Sequence, residues 1–84
     1  MAKITLDPNK KDALLVRVGE RIASLRKAKG LTQLRLALLC ETTQSYISDL
    51  EVGRRNPSLI ILDRIAEALD CTLSELLLGV EEAK

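Results

Sequence analysis

The sequence has 84 residues, room for one domain that buries only about 60% of its unfolded surface, so a narrow stability margin is expected. With Tyr46 as the one aromatic residue and no Phe or Trp, the core must come from Leu, Ile, Val and Ala, a palette that favours helix over sheet. The net charge of +1 is unevenly spread: residues 1–55 hold 11 Lys/Arg against 6 Asp/Glu, and residues 56–84 hold 2 against 6, so only the first part suits a polyanion.

Residues 1–12, with Lys3, Lys10 and Lys11 around Asp7-Pro8, read as an N-terminal arm leading into a helix, with Asp7 as an early cap and Pro8 at its first position. Leu15, Val18, Ile22 and Leu25 then recur at three- and four-residue steps and form one stripe of that helix. Gly30 ends it behind Arg26, Lys27 and Lys29, cations that suit a helix C-terminus. Thr32 caps a short helix from Gln33 to about Leu39, and Thr43 caps another from Gln44 to about Val52. The connection Cys40-Glu41-Thr42-Thr43 is so short that the two helices must cross steeply, as in a helix-turn-helix unit spanning about 32–52. Gly53 stops the second. After the polar turn Arg54-Arg55-Asn56-Pro57, Ser58 caps a fourth helix with Leu59, Leu62, Ile65, Ala66 and Leu69 at helical period. Thr72-Leu73-Ser74-Glu75 has capping-box spacing and starts a fifth, ending at Gly79. The expected architecture is all-α: an arm (1–12), a five-helix domain (13–79) and a C-terminal tail (80–84).

The third helix carries the chemistry. On a helical wheel Tyr46, Ile47 and Leu50 point one way, and Gln44, Ser45, Ser48 and Asp49 point the other. An outward face of neutral hydrogen-bonding groups matches how base edges are read in the major groove, where Gln bridges N6 and N7 of adenine. Such a face also occurs on an ordinary solvated helix. The basic first helix, the preceding short helix and the following Arg54-Arg55 tip the balance toward double-stranded DNA as partner.

The residues Gly19-Glu20-Arg21-Ile22, Leu25-Arg26-Lys27, Gly30-Leu31-Thr32-Gln33, Leu36-Ala37, Ser45-Tyr46-Ile47-Ser48, Leu50-Glu51, Gly53 through Ser58 and Ile65-Ala66-x-x-Leu69 resemble the Cro/phage-repressor (xenobiotic-response-element) helix-turn-helix family. The resemblance covers about residues 18–78. It implies a lambda-repressor-like five-helix fold and a DNA-binding regulator, a repressor by this reading, acting as a homodimer on a palindromic operator. Carried over by position, Gln33 contacts a phosphate and braces the first reading residue, or else caps its helix. Gln44 and Ser45 begin base reading, and Ser48 and Asp49 continue it. Thr43, Tyr46, Arg54 and Arg55 match positions that touch sugar-phosphate, with partial core packing as the other role for Tyr46 and plain solubility for the arginines. Arg26 and Glu51 match a structural ion pair between the first and third helices.

Three departures stand out. Glu41 occupies a turn position where the family has a left-handed Gly, at a cost of roughly 1 kcal/mol. Asp49 is acidic on a phosphate-facing side, either accepting from cytosine N4 or neutralising Arg54 or Arg55. Leu34 and Leu38 fall on the outer side of the second helix, as scattered surface leucines or as a face covered by Ile4 and Leu6 of the arm or by a partner.

Leu73, Leu76, Leu77, Leu78 and Val80 exceed what one inward face uses, which makes the fifth helix and tail the expected dimer interface, unless they close the monomer's core. An antitoxin-like or bridging protein-interaction module on the same fold is the alternative. No apolar run nears the roughly 20 residues of a membrane span and no signal-peptide pattern is present, which predicts a cytoplasmic protein without membrane contact. Cys40 and Cys71 lack metal-ligand spacing and the chain has no His, so no metal, cofactor or enzymatic site is expected, and both thiols read as small buried hydrophobes in a reducing compartment, with a disulfide as the other option. Nor is there room for a ligand-sensing domain, so no small-molecule ligand is expected.

Overall fold

The structure is a computed structural model that describes residues 8–81. Five helices follow one another: α1 (Pro8–Ala28), α2 (Gln33–Leu39), α3 (Gln44–Glu51), α4 (Leu59–Ala68) and α5 (Leu73–Leu76). The described residues contain no strand. Residues 8–12, which the sequence reading gives to the arm, belong to α1; Pro8 opens the helix because its missing N–H is not needed there. Lys3, Ile4, Leu6 and the predicted cap Asp7 lie outside the described residues.

Local chemistry sets the helix starts. Thr32, Thr43, Ser58 and Thr72 each sit in extended backbone, and each side chain accepts a hydrogen bond from the backbone N–H three residues on. At α5 the bond is reciprocal, Thr72 N–H donating to Glu75 Oε1 at 2.9 Å and Glu75 N–H to Thr72 Oγ1 at 3.1 Å. The Thr72 N–H, and then its hydroxyl, hold the Glu75 carboxyl below the usual carboxylate range. A group lowered on folding supports the fold above the ordinary Glu pKa, and that support is lost as pH falls through the folded value.

One geometry ends the first four helices. In each, the residue after the C-cap has positive φ, and two backbone N–H groups reach back to carbonyls of the last turn. At α1 these bonds are Gly30 to Lys27 and Leu31 to Arg26; at α2, Glu41 to Leu38 and Thr42 to Ala37. Glycine fills this position at Gly30 and Gly53, but Glu41 (φ 57°) and Asp70 (φ 58°) fill it at α2 and α4. The turn expected at Glu41 is therefore kept despite the side chain, whereas Asp70 escaped the sequence reading. Glu41→Gly and Asp70→Gly should each stabilise the fold by about 0.5–1 kcal/mol, the relieved left-handed strain being partly offset by glycine's larger chain entropy. Urea midpoints at constant slope measure the gain; a loss at Glu41 would show that its side chain makes a stabilising contact, and a loss at Asp70 that its exposed 3.5 Å pair with Lys29 outweighs the strain.

α3 packs on α2 and α1, α4 on α5, and α5 and α2 contribute contacts to α1 and α4 respectively. The core is aliphatic, with Ile22, Leu36, Ile47, Leu50, Ile65, Leu76 and Cys40 fully buried. Cys71 is half-buried; both cysteines are free, and burial is the main reason both thiols titrate above their ordinary value, which makes them poor nucleophiles. Two sequence assignments change. Leu59, placed on the inner stripe of α4, is exposed in its first turn, and Ile61 packs against the core instead. Of the five apolar residues at the chain's end, Leu76 and Val80 are buried and Leu73 and Leu77 pack against the core, which leaves Leu78 exposed. Most of that apolar surplus closes the monomer, and Val80, assigned to the tail, is part of the core.

Long-range polar bonds fix α5. Arg17 Nε donates to Val80 O, Arg21 Nε to Leu76 O at 3.2 Å, and Arg21 Nη2 to Glu75 O at 2.8 Å. Arg21 thus satisfies the last carbonyl of a four-residue helix and adds a second donor to Glu75 O, which also accepts from Leu78 N–H, while Arg17, one turn earlier on α1, holds the chain beyond α5 at Val80. Neither contact is visible in the sequence, where both arginines simply fall off the apolar stripe of α1.

Candidate nucleic-acid interface

The face predicted on α3 is present. Gln44 and Ser45 are exposed, Ser48 and Asp49 are half-buried, and Ile47 and Leu50 on the opposite side are buried. Tyr46 is half-buried and packs against the core. Thr43 is exposed and caps the helix, its Oγ1 accepting from Tyr46 N–H at 3.0 Å. The first turn of α3 has no acidic residue, so its free N–H groups and positive dipole end stand beside Gln44 and Ser45. Val52, expected inside this helix, is its exposed C-cap.

A buried polar cluster holds α3 against α1. Arg26 Nε lies 2.6 Å from Glu51 Oε2 and Nη2 lies 3.0 Å from Oε1, a two-pronged pair with both side chains buried. The Glu51 hydrogen bond raises the Arg26 guanidinium above its ordinary range, so it stays charged. Arg26 Nη1 also donates to Leu31 O at 2.7 Å, fixing the entry to α2. Gln33 Nε2 donates to Glu51 Oε1 at 3.0 Å. This is a role that neither sequence option for Gln33 contained, and Thr32 is the residue that caps α2. One carboxylate therefore ties together the end of α1, the start of α2 and the end of α3. No buried side-chain nitrogen or oxygen among the described residues lacks a hydrogen-bond partner.

Arg54 and Arg55 follow α3 with exposed side chains. Asp49 Oδ1 lies 3.8 Å from Arg54 Nη1 and Oδ2 3.7 Å from Arg55 Nε, and the Arg55 guanidinium sits 5.5 Å from the centroid of the Tyr46 ring. Thr43, Tyr46, Asp49 and the two arginines thus stand along α3 and the turn that leaves it. Gln33 lies at the start of α2, joined to them through Glu51. Close approach, which sequence reasoning missed, makes this placement possible: a Cβ on Gly19 would meet Leu50 O at 2.4 Å and Glu51 O at 2.6 Å. A glycine inside an otherwise regular helical pattern was the available signal.

Residues 22–76 match the sequence profile of a family described as Helix-turn-helix, over more than half of the chain. The chain belongs to this helix-turn-helix family. It is 44% identical over 57 residues to the immunity repressor protein of Bacillus phage phi105, a match that covers 68% of this chain and 40% of that protein. The chain therefore spans well under half of the phage repressor. Among solved structures, it superposes on the restriction-modification controller protein C.AhdI from Aeromonas hydrophila with a TM-score of 0.72 at 45% identity, covering 74% of this chain and 94% of the other. The biofilm master regulator SinR, solved in complex with DNA, superposes with a TM-score of 0.67 at 34% identity, covering 71% and 97%. The matched helix-turn-helix segment contains every side chain of the α3 face and of the Arg26–Glu51–Gln33 cluster.

No helix among the described residues is long and apolar enough to cross a membrane. Among the same residues, no group of three or more His, Cys, Asp or Glu is placed to hold a metal ion.

Proposed function

We propose that the chain is a cytoplasmic, sequence-specific DNA-binding transcriptional repressor that inserts α3 into the major groove. The observation that carries this reading is the division of α3: Gln44 and Ser45 bare at its N-terminus, Ile47 and Leu50 locked in the core behind them. Gln44 reads a base edge, Ser45, Ser48 and Asp49 continue along the groove, and Thr43, Tyr46, Arg54, Arg55 and Gln33 meet sugar-phosphate. The likeness to a phage immunity repressor and to a regulator solved on DNA supports the reading.

One α3 spans too few base pairs for specificity in a genome, so the chain acts as a homodimer on a palindromic operator, its two reading helices about 34–36 Å apart. The interface is the face of α5 and the tail that carries exposed Leu78 beside half-buried Leu73 and Leu77. No catalytic, metal, cofactor or small-molecule role is assigned.

Exposed Leu34, Leu38 and Leu39 on α2 favour a second reading, a module for protein contacts in the manner of an antitoxin or bridging factor. Affinity for selected duplexes, titrated against salt, separates the two. Phosphate neutralisation makes binding fall steeply with salt, and an apolar protein contact does not. Gln44→Ala should relax preference at one base pair, at a cost of about 1–3 kcal/mol on the selected site, whereas Arg55→Ala should weaken all sequences alike and lessen the salt slope by about one. Equal losses on every sequence for Gln44→Ala would remove it from the reading surface.

A further inference from the structure

The counter-ion of the phosphate-gripping arginines is a residue of the reading face itself. Asp49 lies one helical turn beyond Ser45, on the side of α3 assigned to the groove, and its two carboxylate oxygens face Arg54 and Arg55 at 3.8 and 3.7 Å. Both arginine side chains are more than half exposed. At these distances the pairs are attractions without a hydrogen bond, readily exchanged for another anion. Arg55 also lies 5.5 Å from the centroid of the Tyr46 ring, a second attraction on the side of Asp49. A carboxylate aimed into the groove is repelled by phosphates and by the N7, O6 and O4 acceptors of purines and thymine, and it is satisfied by an amino donor. Cytosine N4 offers that donor with an acceptor on one side only, the O6 of its paired guanine, whereas adenine N6 stands between N7 and the paired thymine O4.

We propose that Asp49 determines specificity by coupling base reading to phosphate grip. Facing a cytosine, its carboxylate accepts from N4, and Arg54 and Arg55 exchange Asp49 for backbone phosphates. Facing a base edge that offers only acceptors, the carboxylate keeps the arginines and opposes docking. Wrong sequences are thus denied part of the electrostatic attraction that would otherwise hold any duplex. The inference rests on the DNA-reading role proposed above and adds a requirement that role does not contain.

The test is selection from a randomised duplex pool by the wild-type chain, Asp49→Asn and Asp49→Ala in parallel. The selected and random duplexes are then titrated over a salt series, with thermal melts to establish that each variant is folded. Wild type should fix a cytosine at one position of each half-site. Asp49→Asn should trade it for adenine and Asp49→Ala should lose the preference. Both should bind random duplex roughly tenfold more tightly, with a steeper salt slope and a specificity ratio lower by the same order. Unchanged selected sites together with unchanged random-duplex affinity in both variants would overturn the coupling and leave the DNA-reading role standing. A wild-type chain that selects no sequence would overturn both.

Discussion

Arg26→Ala is expected to lower the free energy of unfolding by about 3–5 kcal/mol, the cost of removing one partner of a buried ion pair. In a small domain held by roughly 5–15 kcal/mol, that is a fifth or more of the total. The substitution leaves the Glu51 carboxylate buried with the Gln33 amide in place of the two-pronged guanidinium, and it strips the donor from Leu31 O. Urea unfolding at constant slope measures the loss. Replacing both partners, Arg26→Met with Glu51→Leu, should cost far less than the single change, because no buried charge is then left behind. Gln33 loses its acceptor in that double variant, so its DNA affinity should fall even where stability is retained. A single-variant loss below about 1 kcal/mol, the value of an exposed pair, would mean that water reaches the cluster.

Gly19→Ala is the second large effect. Alanine is the better helix former by about 1 kcal/mol, and on propensity alone the change should stabilise α1. Its Cβ would instead sit 2.4 Å from Leu50 O and 2.6 Å from Glu51 O. The obstruction is backbone in the last turn of α3, with no flexible side chain to swing aside, so α1 and α3 must separate. Overpacking of this kind costs about 1–3 kcal/mol, and the upper half of that range outweighs the propensity gain. A net loss near 1–2 kcal/mol corresponds to a melting temperature lower by about 4–16 °C at this chain length. Because the shift tilts α3 relative to Arg26, DNA affinity should fall further than the stability loss alone explains. A higher melting temperature would show that the two helices are not in contact at Gly19.

Much of the fold was legible because its signals are local. A capping threonine or serine acts on an N–H three residues away, and apolar residues at three- and four-residue steps share a face whatever lies opposite. Thr32, Thr43, Ser58 and Thr72 were therefore readable as helix starts, and Val18, Ile22, Ile47, Leu50, Ile65 and Leu69 as core. The polar side of α3 followed from the same periodicity. The Arg26–Glu51 pair came from family resemblance, since nothing in their spacing reveals a bond between residues 25 positions apart.

What escaped is what depends on how helices are set against one another. Arg17 and Arg21 fall off the apolar stripe of α1, and nothing local points to their partners, carbonyls 54 to 63 residues away. The leucines of α5 looked like a surplus because periodicity counts apolar residues but not the number of neighbouring helices available to bury them. For Gln33 the sequence offers phosphate contact with bracing of the first reading residue, or capping, and the bond from its amide to Glu51 is in neither option.

The sequence by itself determined where α2 to α5 begin and most of the apolar side of each helix, because hydrogen bonds and side-chain periodicity within a few residues suffice for that. Only the tertiary structure decided which glycine serves as a contact surface, which arginine finishes another helix's hydrogen bonds, and that Asp49 stands between the reading face and the two arginines beyond it. Those outcomes follow from the relative placement of whole helices, which close packing fixes and no short window of sequence contains.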